Sequence, residues 1–209
     1  MTIDDTLSKL DSIWTVQLFF RTFPYYLKRA NTKIDSRSEK FDIVVSENPP
    51  AVNLPDEIKK QLDFSTIHLW AMSIIYIEAI LEDYIFTVIE NLGLKSNRLP
   101  RQADKLFVYL NNEILSKKNI ILNVDCENEW QLGELTQTRH LWVHRGGIVD
   151  QHYLEKTENW WMSRPTYWFE NKPIEDTERL LTEEYIKGNI YFSKKLVSQI
   201  HRTLEEHLA

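Results

Sequence analysis

The chain has 209 residues, 43% of them hydrophobic and 27% charged, which suits one globular domain and excludes a disordered or membrane-embedded polypeptide. Its formal net charge of −6 excludes a broad basic face for coating nucleic acid, so contact with phosphate must be confined to a small basic pocket. Five glycines argue against a Gly-rich all-β or Rossmann design, and a single cysteine, Cys126, excludes an internal disulfide and fits a reducing, cytoplasmic setting.

The opening MTIDDTLSKLDSIW carries acids and lacks both a basic n-region and a small-residue cleavage site, so it does not read as a signal peptide. A first helix is expected from Ile3 to about Arg29, with Leu7, Leu10, Trp14, Leu18 and Phe20 near helical spacing. Pro24 predicts a kink or break near Phe23. Residues 31–55 read as a long connection rich in Ser, Asn and Pro, with at most a short extended piece at Ile43-Val44-Val45.

The strongest helical pattern runs from Phe64 to Leu92. Ile67, Trp70, Ala71, Ile74, Ile77, Leu81, Ile85, Val88 and Leu92 keep the three-and-four spacing, and Gly93 supplies a stop. Ile75, Ile80 and Phe86 widen the apolar surface, as a central bundle helix requires. His68, Glu78, Glu82 and Asp83 interrupt it within one bilayer thickness, so no membrane span is expected. A third helix is expected over Arg101–Ser116, with Leu106, Phe107, Leu110 and Ile114 inward. A fourth begins near Asp125, a good N-cap, and ends before Gly146-Gly147. The last opens at Thr182, helped by Glu183 and Glu184, and continues through Ile186, Ile190, Phe192, Leu196, Ile200 and Leu204.

These elements predict an all-α antiparallel bundle of four to five helices. One domain fills residues 1–209: an N-terminal helix and loop (1–61), core helices (62–148), an insertion (149–181) and a last helix (182–209). The stretch Trp160–Glu178 is rich in aromatics and holds Pro165 and Pro173. It reads as an insertion before the last helix, a small hairpin packing its rings on the bundle.

The chemically informative stretch is Thr138-Arg139-His140-Leu141-Trp142-Val143-His144-Arg145-Gly146-Gly147-Ile148-Val149-Asp150. On a helix, Leu132, Leu135, Trp142 and Val143 gather on one face, Arg139 projects from its middle, and His140 and His144 share its flank. An unpaired guanidinium on an apolar stripe is costly. Two readings stand: an internal salt bridge with two surface histidines beside it, or a fork aimed into a cleft or dimer seam. In the second, Arg139 binds phosphate and the near-neutral imidazoles move protons.

The string R-H-x-x-V-H-x-G-G-x-V-D resembles the signature of the HEPN superfamily, an Arg-polar-x-x-x-His pattern late in a helical bundle. The order of a central apolar helix, a connecting helix, a motif helix ending in glycine and a final helix is similar too. The following Val149-Asp150-Gln151-His152-Tyr153-Leu154 looks like the continuation in several bacterial HEPN families, and the resemblance covers about Phe64 to Leu208. It implies a HEPN-like fold and a homodimer with one composite site. It implies metal-independent RNA cleavage in which the 2′-OH attacks the phosphate to leave a 2′,3′-cyclic phosphate and a 5′-OH. By the same resemblance His144 is the main acid/base, Arg139 neutralises the phosphorane oxygens, and His140 orients the phosphate or supports His144. The implied role is a bacterial toxin or anti-phage effector cutting tRNA or other cellular RNA, with an antitoxin as a partner. A non-catalytic HEPN-like module binding RNA, nucleotide or a protein is the alternative, which the acidic balance favours.

Glu78 lies on the apolar side of its helix, either as a boundary carboxylate facing solvent or as the partner of Arg139, with Glu82 as the fallback; Arg145 is a further candidate for substrate binding. His140 and His144 have the spacing of a metal pair, but Leu141 stands where H-E-x-x-H has its glutamate, and a third ligand would have to be His152 or a distant acid. No metal or cofactor is expected. Trp160, Trp161 and Trp168 read as packing before base-stacking, and Cys126 as structural.

Overall fold

The computed structural model describes residues 2–15, 56–93, 99–122, 126–163 and 173–208. Among these, every regular element is helical apart from one antiparallel bridge between Ile148 and Glu178. The elements are α1 (3–15), α2 (Asp56–Asn91), α3 (Ala103–Tyr109), α4 (Cys126–Arg145), α5 (Gln151–Ser163) and α6 (Glu183–Leu208). The all-α bundle expected from the periodicity is what forms. The expected break at Pro24, the extended piece at 43–45, the Asp125 cap and Trp168 lie outside the described residues.

Helix α2 is the axis of the bundle and packs against α3, α4 and α6. Ile74, Ile77, Leu81, Ile85 and Ile89 are fully buried along it, each contributing about 1.5–3 kcal/mol through the water it sheds. Leu10 and Ile13 of α1 join this core, and Lys194 on α6 donates to the Asp11 carboxylate at 2.7 Å. The helix starts at Asp56, eight residues before the apolar run that marks it in the sequence. Gly93 ends it with φ +88°, a conformation that only glycine adopts without strain.

The third helix starts at Ala103, opens into π geometry over Leu110–Leu115 and tightens to a 3-10 turn at Ser116–Lys118. Leu106, Phe107, Leu110 and Ile114 all point inward, as their spacing required. At the end of the chain, Thr182 caps α6 by accepting the Tyr185 N–H at 3.1 Å, and Ile186, Ile190, Phe192, Leu196 and Ile200 are buried.

The segment read as an insertion begins differently. Residues 151–163 form α5, which folds back along α4. Asp150 caps it, its Oδ1 accepting the Tyr153 N–H at 2.8 Å. Trp160 and Trp161 are buried in the protein, as the packing reading required, but they sit on a helix and not on a hairpin. Tyr153, Thr157, Trp160 and Trp161 keep the three-and-four spacing of a buried helical stripe, which the density of aromatics in this stretch disguises.

Candidate functional site

Helix α4 ends in a turn that the sequence makes tight. Gly146 and Gly147 both have positive φ, +60° and +86°. A Cβ on Gly147 would lie 2.8 Å from the indole of Trp142, so this position needs glycine for space as well as for its backbone. Arg145 Nε reaches Asp150 Oδ2 across the turn at 3.0 Å. The outgoing strand-like residues are clasped from the far side. Val149 N–H donates to Thr177 C=O (2.9 Å), Asp176 N–H to Val149 C=O (2.9 Å) and Arg179 N–H to Gly147 C=O (2.8 Å).

On the last turns of α4, His140 and His144 lie together with ring centroids 4.6 Å apart. His144 is exposed and His140 half-buried. Burial first, and then the neighbouring His144, His152 and Arg139, push the His140 pKa below its usual value, while Asp150 opposes them. Arg139 lies on the flank facing α2. Its Nε is 3.8 Å from Glu78 Oε2, too long for a hydrogen bond but close enough for strong attraction at a site where Glu78 is only 1% exposed. The Arg139 side chain itself is 29% exposed, so its fork is held at the surface by an acid beneath it.

Glu78 is therefore no solvent-facing boundary residue. Its other oxygen accepts the Ala103 N–H at 3.1 Å, at the start of α3. Burial raises its pKa, against the opposing pull of the Ala103 N–H and Arg139. Burial likewise raises Glu82, which Arg139 and Arg101 pull back down. Arg139 thus stands among two carboxylates of α2, and the primary and fallback partners both lie near it.

The apolar face of α4 departs from the helical-wheel expectation at its end. Leu132 and Leu135 are buried and Trp142 half-buried, but Val143 is 43% exposed and Leu141 turns inward with Val149 and Tyr153. Helix α5 packs along α4 as well, and Leu141 faces Tyr153 on the first turn of α5. Arg145 is mostly exposed and pairs with Asp150.

A second group of polar side chains was missed entirely. Glu134, with no exposed surface, accepts from Thr138 Oγ1 (2.8 Å), Tyr153 OH (2.9 Å) and Tyr185 OH (2.5 Å) and lies 3.4 Å from Arg179 Nη2. Arg179 also donates from Nε to Tyr153 OH (3.1 Å) and lies over the rings of Trp161 and Tyr185, 4.9 and 4.8 Å from their centroids. Burial works against its charge, but Tyr153, Glu134 and Tyr185 outweigh that and hold its pKa above the ordinary value. This network joins α4, α5 and α6 directly behind the motif turn. A signal existed: Glu134, Thr138 and Leu141 share one helical stripe, and an acid on a buried stripe needs a partner.

No protein-family model, curated protein or solved structure matches the chain. Its chemistry must be read from the residues alone. The end of α4 gathers Arg139, His140, His144 and Arg145, with His152 close by, where the helix C-terminus favours positive charge. Among the described residues no group of three or more His, Cys, Asp or Glu is placed to hold a metal ion, and no helix is long and apolar enough to cross a membrane. The set suits an anion and proton transfer to or from it.

Proposed function

We propose that the chain is a metal-independent endoribonuclease of HEPN type, acting in the cytoplasm as a toxin or anti-phage effector on tRNA or other cellular RNA. The observation that carries this reading is the arrangement at the end of α4: a partly exposed arginine seated on a buried acid, followed by two imidazoles whose ring centroids lie 4.6 Å apart. In this reading Arg139 neutralises charge on the phosphorane and His144 exchanges the proton of the attacking 2′-OH, a contribution of about 10²–10⁴ in rate. His140, kept toward its neutral form, accepts a hydrogen bond or orients the phosphate. Glu78 holds the guanidinium in place and Arg145 meets the flanking backbone phosphate.

The active form is a homodimer with the two motif turns facing one cleft. Met72, Tyr76 and Val143 support this, being exposed apolar side chains on the two helices that carry Glu78 and Arg139. An antitoxin is the further partner in this reading. A second reading, a non-catalytic HEPN-like module that binds RNA, nucleotide or a protein, draws support from the net charge of −6 and from the acids already beside Arg139.

The test is incubation of the purified protein with total RNA, with and without chelator, followed by mapping of the new ends. Cleavage that survives chelation and leaves cyclic phosphates and 5′-hydroxyls is expected. Arg139→Ala and His144→Ala should abolish it while keeping helical content. Strict dependence on a divalent ion, or 5′-phosphate products, rejects the mechanism; specific RNA retention with no cleavage selects the second reading.

A further inference from the structure

Cleavage by 2′-OH attack needs two proton transfers, one from the nucleophile and one to the leaving 5′-oxygen, and the motif itself names one acid/base. We infer that His152, on the first turn of α5, is the second proton-transfer group, donating its proton to the departing 5′-oxygen; this rests on the ribonuclease reading above.

The fold brings His152 to the motif by fixing its neighbour. Tyr153 reaches Thr138 Oγ1 at 3.1 Å and Glu134 Oε1 at 2.9 Å, and packs against Leu141 and Val149. Those contacts set the first turn of α5 beside residues 138–141 of α4, the turn that carries His140. His152 precedes Tyr153 and is exposed. The cap from Asp150 to Tyr153 N–H, the Arg145–Asp150 pair and the clasp of 147–149 onto 176–179 hold this arrangement rigid. His140 accordingly has His144 as its neighbour along its own helix and His152 as its neighbour across from it, and both bear on its charge.

Two imidazoles carried by two different helices suit a base and an acid better than two on one helix face. In-line displacement places the entering and leaving oxygens on opposite sides of phosphorus, so the groups serving them must approach from different directions. His140 is the poorer donor. Burial first, and then His144, His152 and Arg139, hold it toward the neutral form, and Asp150, which acts the other way, is engaged by Arg145 and the Tyr153 N–H. The step balances. The 2′-OH gives its proton to neutral His144 as the 2′-oxygen bonds to phosphorus, the P–O5′ bond breaks, and the 5′-oxygen takes a proton from the His152 imidazolium. The products are the cyclic phosphate and a 5′-OH. The two imidazoles regain their starting states by exchange with water.

A general acid is diagnosed by its leaving group. The full-length wild type, His152→Gln, His152→Asn and His144→Ala are compared on an RNA oligonucleotide and on a ribonucleoside 3′-(4-nitrophenyl phosphate), whose leaving group departs without a proton. Both His152 variants should cleave RNA about 100-fold or more slowly, yet turn over the nitrophenyl ester within about threefold of wild type, whereas His144→Ala is slow on both. Circular dichroism checks that each variant folds. Equal slowing of both substrates by the His152 variants, or no slowing of either, overturns the assignment while leaving the ribonuclease reading intact. A wild type inert on both substrates removes the ribonuclease reading and the role of His152 with it.

Discussion

Replacing Arg179 with methionine tests whether the buried network behind the motif turn holds the bundle together. Methionine keeps much of the stem's volume but deletes the guanidinium, which is 6% exposed, donates to Tyr153 OH and the Leu180 carbonyl and lies beside Glu134. What remains is a carboxylate with no exposed surface and no counter-charge, still bonded by three hydroxyls. Breaking one partner out of a buried ion pair costs about 3–5 kcal/mol, most of it from the charge left behind. A domain of this kind is stable by about 5–15 kcal/mol, so the loss is a large share of the total. At about 2–4 °C per kcal/mol for chains of this length, the melting temperature should fall by roughly 10 °C. Chemical denaturation of Arg179→Met, Glu134→Gln and the double variant measures the coupling. The double variant should be more stable than the sum of the single losses by about 1–3 kcal/mol, because it removes the orphaned charge. Lys117→Met, which breaks the exposed pair with Glu113, is the control and should leave the midpoint unchanged. An Arg179→Met loss below about 1 kcal/mol, or strict additivity with Glu134→Gln, would refute the reasoning.

Gly147→Ala should destabilise more than Gly146→Ala; both incur about 1–2 kcal/mol of backbone strain, but only the former drives a methyl into Trp142, and equal midpoints in urea would contradict this. Asp150→Ala should cost about 1–2 kcal/mol through the lost α5 cap, against almost nothing for Arg145→Ala, so matching losses by denaturation would place the stabilisation in the ion pair instead. The lowered pKa of His140 means the unfolded chain binds the proton more readily, so its contribution is present above about pH 6.5 and is lost as pH falls through the folded value. Melting curves of His140→Gln should fall less steeply than wild type over that window, and parallel curves would count against the shift. Sulfate should raise the melting temperature of a micromolar dimer more than chloride at matched ionic strength, and Arg139→Ala should lose most of that difference, with sedimentation reporting the dimer.

The fold was readable because burial writes periodicity into a helix. Ile74, Ile77, Leu81 and Ile85 had to share a face, and so did Ile186, Ile190 and Leu196. Helix α5 was not readable in the same way. Its buried residues, Tyr153, Thr157, Trp160 and Trp161, keep helical spacing, but a threonine that binds Trp161 Nε1 stands among them, so the stripe is less apolar than those of α2 and α6. At the candidate site, the pairing of Glu78 with Arg139 followed from placing charges on apolar faces. The Ala103 N–H, by contrast, has no sequence mark, because any residue supplies a backbone donor. Arg179 escaped notice for the same reason that long-range contacts generally do: it meets Glu134 from 45 residues away, where no spacing rule applies.

The position of Glu78 has a practical bearing on any mutational survey of this protein. One carboxylate serves three helices at once, since it stands on α2, takes the first N–H of α3 and faces the arginine of α4. An alanine there removes a structural cap and an electrostatic support in a single stroke, and a scan that scores only activity would enrol Glu78 among the groups that touch substrate. Glutamine separates the two duties. It retains an oxygen for Ala103 and surrenders the charge, so the difference between the alanine and glutamine variants, and not the alanine result, measures what Glu78 does for Arg139.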